Sequence, residues 1–112
     1  MLSVRCKVWV EQDGKAVFGD GRVQLLEGIR DTECLTTAAK RLGMPYRTAW
    51  KHLSLMERAY GRKLVERTTG GATGGGCRLT PAGRKLLDNY LAFRKRLDAV
   101  VAKHAQRFLH AP

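Results

Sequence analysis

Acidic residues are scarce in this chain. Ten Asp and Glu stand against 21 Lys and Arg, a formal net charge of +11 over 112 residues. Cysteine is also scarce. Cys6, Cys34 and Cys77 are odd in number, widely spaced and form no Cys-x-x-Cys pair. That pattern excludes a disulfide framework and a structural zinc site, and fits a reducing cytoplasm. Long apolar runs are missing too. None approaches the roughly 20 residues needed to span a bilayer, so no membrane span is expected. Arg5 and Lys7 interrupt the N-terminus before the apolar stretch of a signal peptide could form. The short length weighs against a self-contained enzyme. What is present is a folding composition: 44% apolar and 28% charged residues, enough for one compact domain.

The positive charge is concentrated. Residues 1–39 carry five basic and six acidic groups, and residues 97–112 carry two basic and one. Residues 40–96 carry fourteen basic groups against Glu57, Glu66 and Asp88. A local field of that size attracts polyanions, nucleic acid first and an anionic membrane surface second. The bland alternative is a solvated basic face that keeps the protein soluble.

Residues 3–10 alternate as a strand, with Val4, Cys6, Val8 and Val10 on one side. Asp13-Gly14 marks a hairpin turn, and Ala16-Val17-Phe18 returns. Asp20 is placed to cap a helix over 21–31, whose apolar stripe is Val23, Leu25, Leu26 and Ile29. Thr36 is placed to cap a short helix over 37–42, which Gly43 ends. Pro45 suits the first turn of a third helix that runs to about Tyr60 and stops at Gly61. Ala49, Leu53, Met56 and Tyr60 form its buried face, with Trp50 on the border. Leu64–Thr68 and Cys77–Leu79 read as two strands around a Gly-rich loop. Thr80 caps a final helix over 81–109, with Pro81 at its first position. Such a helix would be about 43 Å long. Leu86, Tyr90, Phe93, Leu97, Val101, His104 and Phe108 repeat on it at three- and four-residue spacing, close to a coiled-coil seam. The body before it, about 60 residues, is too small to cover that helix along its length. A second chain is the expected cover.

The chemistry of these segments is selective. A short helix, a tight Leu-Gly-Met-Pro turn and a second helix with Arg and Lys on its outer face describe a helix-turn-helix, which puts the start of its second helix in the DNA major groove. An ordinary helical hairpin in a small core is the competing reading, and the charge concentration favours DNA. Gly71 to Gly76 has the spacing of a phosphate-binding loop, but Cys77-Arg78 stands where Lys-Ser/Thr is required, and a strand follows instead of a helix. A hairpin tip that approaches a phosphate or the minor groove is the better reading, with Arg67 and Arg78 on either side. No catalytic set is found. His104 and His110 are six apart on different helix faces, His52 sits on the second helix of the motif, and Cys34 reads as buried more than reactive. No metal site and no cofactor are expected.

The run Thr36 to Trp50, the segment Leu64-Val65-Glu66-Arg67, the glycines 70, 71 and 74–76, and Leu79-Thr80-x-x-Gly83 resemble the N-terminal winged-helix domain of molybdate-responsive, ModE-type regulators, a branch of the LysR-type winged helices. The Tyr-x-x-Ala-Trp run and the doubled glycine wing are the parts most specific to that branch. The resemblance spans nearly the whole chain. It implies a mainly α fold with small β elements: a winged helix-turn-helix with an N-terminal β-hairpin and a long C-terminal dimerisation helix. It divides the chain into a DNA-binding domain over 1–80 and a dimerisation helix over 81–112. DNA contacts would fall on Pro45, Tyr46, Arg47, Thr48 and Lys51 of the recognition helix and on Arg67, Gly74, Gly75 and Arg78 of the wing. The dimer interface would use Tyr90, Leu97, Val101, His104 and Phe108. Pro45 stands where the family usually has a small hydroxyl residue, which removes one cap and one phosphate contact. The family's full regulators continue into molybdate-binding domains, and nothing in these 112 residues supplies that site. Molybdate or a related oxyanion therefore enters as an effector only through the resemblance.

The expected protein is thus a cytoplasmic, homodimeric, sequence-specific transcription regulator with double-stranded DNA as its partner. An architectural protein that binds DNA without sequence preference is the alternative, and an interaction module for RNA or another protein is a third reading. Arg47 and Lys51, four apart, distinguish the first two, because they can reach guanine edges while a non-specific binder needs only phosphates.

Overall fold

The computed structural model describes residues 1–68 and 76–110. Strands β1 (Trp9–Gln12) and β2 (Lys15–Gly19) form an N-terminal antiparallel hairpin. Its turn is at Asp13-Gly14, both in the left-handed region at φ +52° and +80°. Helices α1 (Asp20–Thr32), α2 (Leu35–Arg41) and α3 (Tyr46–Tyr60) follow. The antiparallel pair β3 (Val65–Arg67) and β4 (Cys77–Leu79) makes the wing, and α4 (Pro81–Leu109) completes the chain. The molecule is elongated, 60 × 31 × 23 Å, because α4 runs beyond the body. This is the winged helix-turn-helix that the sequence implies, with the hairpin before it and the long helix after it.

Five expected boundaries shift. The N-terminal strand starts at Trp9, not residue 3. The segment before it is drawn to the helices instead: the Val8 N–H donates to Asp20, the Asp20 N–H donates back to the Val8 carbonyl, and Arg94 donates to the Cys6 carbonyl. Val4, in that segment, and Val10, in β1, are both exposed. Asp20 does not cap α1. Gly19 is the cap residue, and the Asp20 carboxylate turns outward to Val8 and Tyr90. Thr36 lies inside α2, which begins at Leu35 with Cys34 as its cap residue. Pro45 is one position earlier than expected, at the cap of α3 in extended backbone. The strand read over Leu64–Thr68 is pared to Val65–Arg67. Tyr60, placed on the buried face by its spacing, is 40% exposed. It sits at the last turn of α3, beside the hairpin residues Val10, Val17 and Phe18.

The core is formed by Leu25, Leu26 and Ile29 of α1, Leu35 of α2, Leu53 and Met56 of α3, and Leu64, Cys77 and Leu87, all fully buried. Removing one such leucine side chain costs about 2–5 kcal/mol. Helices α1 and α2 cross where both are small. A Cβ on Gly28 would lie 2.8 Å from the Ala38 Cβ. Helix α4 starts as read: the Thr80 hydroxyl accepts the Gly83 N–H at 3.0 Å, with Pro81 in the first turn. Leu86, Leu87 and Tyr90, in its first three turns, belong to the same core as the helix-turn-helix. That contact fixes the direction in which the rest of α4 leaves the body.

Candidate nucleic-acid interface

The turn between α2 and α3 is closed by backbone. The Leu42 and Met44 N–H groups both donate to the Ala39 carbonyl, and the Gly43 N–H to Lys40. Gly43 takes φ +64°, a conformation that side chains rarely tolerate. The turn sets α3 across α2 with Ala49, Leu53 and Met56 inward. The opposite face then presents Arg47, Lys51, Ser54 and Arg58, all exposed and without a carboxylate among them. Tyr46 is exposed and Thr48 half-buried at the start of the same helix, and Pro45 before it is exposed. The sequence-predicted contacts of the recognition helix are thus together at one end of one surface.

The wing is fixed to α3 on one flank. The Arg67 guanidinium lies 4.4 Å from the centre of the Trp50 ring, a cation–π distance. Tyr46 meets the same indole edge-on, with ring centres 6.3 Å apart. Lower on the flank, the Glu57 carboxylate accepts the N–H groups of Leu64 at 2.8 Å and Val65 at 3.3 Å. Trp50, Ser54, Glu57, Lys63, Val65, Glu66, Arg67 and Thr80 line the hollow between helix and wing. The other side of the wing is tied to the loop after α1, where the Cys77 N–H donates to Glu33 and Cys34 bridges Gly76. Position in the sequence gave no sign of Glu57 as the link between helix and wing. An isolated Glu on a basic helix was the available signal.

The remaining predicted positions divide. Arg67 is exposed and aimed by Trp50. Arg78 is exposed but paired with Glu66 at 2.6 Å. Gly74 and Gly75 lie outside the described residues. On α4, Tyr90 is buried within the chain, Leu97 and Val101 are half-buried, and His104 and Phe108 are exposed. Phe93 and Val100, which join them along the outer side of the helix, are at least half exposed. Cys34 is half-buried, and Cys77 is fully buried, which pushes its thiol up to about 11 and keeps it protonated. No described helix is long and apolar enough to cross a membrane.

Comparison with known proteins agrees with this geometry. Residues 21–84, from the start of α1 to the start of α4, match the family described as bacterial regulatory helix-turn-helix protein, lysR family. The transcriptional regulator ModE of Haemophilus influenzae is 42% identical over 77 residues, 68% of this chain and 30% of its own length. The molybdenum-pterin-binding protein MopB of Rhodobacter capsulatus is 38% identical over 101 residues, 90% of this chain and 36% of its own. The chain therefore spans about a third of the length of these curated relatives. The crystal structure of the CbnR_DBD–DNA complex has a TM-score of 0.56 at 21% identity, covering 77% of this chain and 88% of that one, a likeness of fold. The match over more than half of its residues places the chain in the LysR family of bacterial regulatory helix-turn-helix proteins, with its similar curated relatives drawn from the ModE type.

Proposed function

We propose that the chain binds duplex DNA as a sequence-specific, homodimeric transcription regulator, with α3 in the major groove and the wing on the adjoining backbone. One observation carries this reading. The exposed stripe of α3 is cationic and free of carboxylates, while Arg67 of the wing is stacked against the same helix at Trp50. An α-helix fits the major groove, and Arg and Lys in its first turns read guanine edges there. In this reading Arg47 contacts bases, and Lys51 lies one turn on along the same groove-facing stripe. Pro45, Tyr46 and Thr48 position the helix start, and Arg67, Gly74, Gly75 and Arg78 serve the wing. Arg78 must exchange Glu66 for a phosphate to take part.

Residues 1–80 carry the DNA-binding unit and 81–112 the dimerisation helix, whose first turns also complete the core. The apolar residues left uncovered on α4, Phe93, Val100 and Phe108, support a second copy as the cover, with Leu97, Val101 and His104 in the seam. Tyr90 serves that interface from inside, by holding α4 to the body. A molybdenum-containing ligand is named only in relatives such as MopB. A regulator of this type acts in the cytoplasm.

Selection of bound duplex from a random pool, followed by competition at a stated salt concentration, tests the reading. A palindromic consensus that outcompetes random DNA is the expected result. Arg47→Ala should then lose about 1–3 kcal/mol of that discrimination and little non-specific affinity. Equal affinity of the wild-type chain for selected and random duplexes would establish the architectural alternative.

A further inference from the structure

A helix with its side chains is about 10–12 Å across and the major groove is about 12 Å wide. A helix seated there meets a sugar–phosphate wall on each flank. On α3 the flank toward the wing has Arg67 for its wall. The opposite flank carries Thr48 and His52, one turn apart and both half-buried. His52 is not explained by packing alone: its Nδ1 is buried and has no hydrogen-bond partner among the described residues.

The surroundings of His52 are cationic. Burial first, then the charges of Arg22 in the first turn of α1 and Lys51 on α3, hold its imidazole below the ordinary histidine range. Arg22 is anchored without being neutralised. Its Nη1 donates to the carbonyls of Ala16 at 3.1 Å and Val17 at 2.8 Å. The neighbouring carboxylate of Asp20 is occupied by Val8, Tyr90 and Arg94. The charged residues of β2 and α2, which also pack on α3, are Lys15, Lys40 and Arg41. Glu11 of β1 faces the far end of α3 at Ala59 and Tyr60, and accepts from the Trp9 indole. Arg22 and Lys51 act on one imidazole, and among the described residues no carboxylate acts on it with them; such a pair is poorly placed by folding alone, and well placed for an anion.

We propose that Arg22, Lys51 and His52 form a seat for one DNA backbone phosphate on the flank of α3 away from the wing. His52 is the neutral tautomer with the proton on Nε2. The buried, partnerless Nδ1 is costlier to protonate there, and Nε2 is left as a donor to a phosphate oxygen. Arg22 and Lys51 supply the charge. With Arg67 on the other flank, the seat lets both walls of the groove grip the recognition helix, independently of base sequence. This inference rests on the DNA-binding reading.

The test needs no operator. A fluorescein-labelled 30-base-pair duplex of random sequence is titrated with the full chain at pH 7.5 over a series of salt concentrations. His52→Ala should weaken binding about tenfold with an unchanged salt slope, since no charge is lost. His52→Gln, which retains an N–H near the Nε2 position, should recover most of that affinity. Lys51→Ala should weaken binding and lower the salt slope by about 0.9. If the two residues share one phosphate, the double variant loses less than the product of the single losses. The melting curve of His52→Gln should stay close to the wild type and that of His52→Ala fall by no more than its half-buried packing costs, because His52 makes no hydrogen bond among the described residues. Wild-type binding with His52→Ala indistinguishable from it, or single losses that multiply, would overturn the seat and leave the DNA reading intact. Failure of the wild-type chain to bind any duplex would overturn both.

Discussion

The Tyr90 hydroxyl donates to the carboxylate of Asp20 and so joins α4 to the first turn of α1. The same carboxylate accepts the Val8 N–H at 3.1 Å and lies 3.7 Å from the Arg94 guanidinium, which also pairs with Asp98 at 3.2 Å. Three segments distant in sequence thus meet at one charge. Partial burial pushes the Asp20 carboxyl up, but Tyr90, Val8 and Arg94 outweigh it and hold the group below its ordinary 3.8. Tyr90→Phe removes a hydrogen bond to a charged group and should cost about 1.5–3 kcal/mol. Because the folded carboxyl is depressed, its stabilising effect is present above the unfolded value near 3.9 and is lost as pH falls through the folded value. Denaturant melts at pH 7 and pH 3 test both points. The difference between wild type and Tyr90→Phe should be large at pH 7 and shrink at pH 3. An equal difference at both pH values would mean that ring packing, and not the bond to Asp20, sets the cost.

Two glycines near helix starts give opposite expectations. A Cβ on Gly83 would lie 2.0 Å from the Leu64 carbonyl oxygen, a backbone atom that also accepts the Thr80 N–H. Neither α4 nor the wing can yield without losing that bond. Gly83→Ala should therefore destabilise the fold by about 1–3 kcal/mol, the range for an overpacked core. Gly21, in the first turn of α1, has no atom within 4 Å of a built Cβ. Gly21→Ala should be stabilising by up to about 1 kcal/mol, through the helix preference of alanine and the lower entropy of the unfolded chain. Thermal melting of the two variants side by side decides it. A neutral Gly83→Ala would show that the start of α4 can shift away from Leu64.

Glu57 offers a way to loosen the wing without touching a DNA contact. Its carboxylate takes the N–H groups of Leu64 and Val65, where the chain enters β3. Glu57→Ala leaves both donors without that acceptor and should destabilise by about 1–3 kcal/mol. Glu57→Gln keeps one acceptor oxygen and should cost less. If the wing positions Arg67 for DNA, both variants should also weaken binding at temperatures where they remain folded, in the same order. Circular dichroism melting paired with duplex titration provides the two readouts. Full affinity in a folded Glu57→Ala variant would show that the wing holds its place without Glu57, through Trp50 and Arg67 and its ties to the loop after α1.

Much of this architecture is legible in the sequence wherever local chemistry decides the outcome. Thr80-Pro81 marks the start of α4, Gly61 the end of α3, and Asp13-Gly14 the hairpin turn, because each meets a backbone requirement by itself. Two of the readings that failed concern groups with a stronger partner elsewhere along the chain. Asp20 has the chemistry of a cap, yet Tyr90, seventy residues away, and Val8 take its oxygens. The alternation of residues 3–10 predicts a strand, but a strand needs a neighbour. Here Arg94 and Asp20 claim the backbone of Cys6 and Val8 instead. At the interface, the exposed stripe of α3 follows from helical spacing. The latch of Arg67 on Trp50 and the role of Glu57 depend on how the wing folds back, which spacing does not encode.

The last prediction concerns Leu97 and Val101. They are four apart on α4, past its core contacts at Leu86, Leu87 and Tyr90, and both are half-buried, with Val101 also lining a hollow beside the N-terminal residues Val4, Arg5, Cys6 and Lys7. Phe93, Val100 and Phe108 beside them are exposed by 50%, 54% and 70%. Apolar side chains at this spacing on an extended helix are the pattern of a two-chain seam. A pair of chains joined there would present two α3 helices to one face of the duplex, about 34 Å apart, one helical turn. Replacing both Leu97 and Val101 with Asp would place two charges in each half of the seam, each costly to bury unpaired. The core residues of α4, Leu86, Leu87 and Tyr90, lie about two to three turns from the nearer of these positions in the direction of the body, so the winged helix should remain folded. The expected product is a folded monomer that binds a palindromic site with the strength of a half-site. Sedimentation equilibrium gives the mass, circular dichroism the fold, and titration of one-half-site and two-half-site duplexes the affinities. A double variant that remains a dimer and still prefers the two-half-site duplex would remove α4 from the interface and transfer it to the N-terminal hairpin, where Trp9 and Val10 are also exposed.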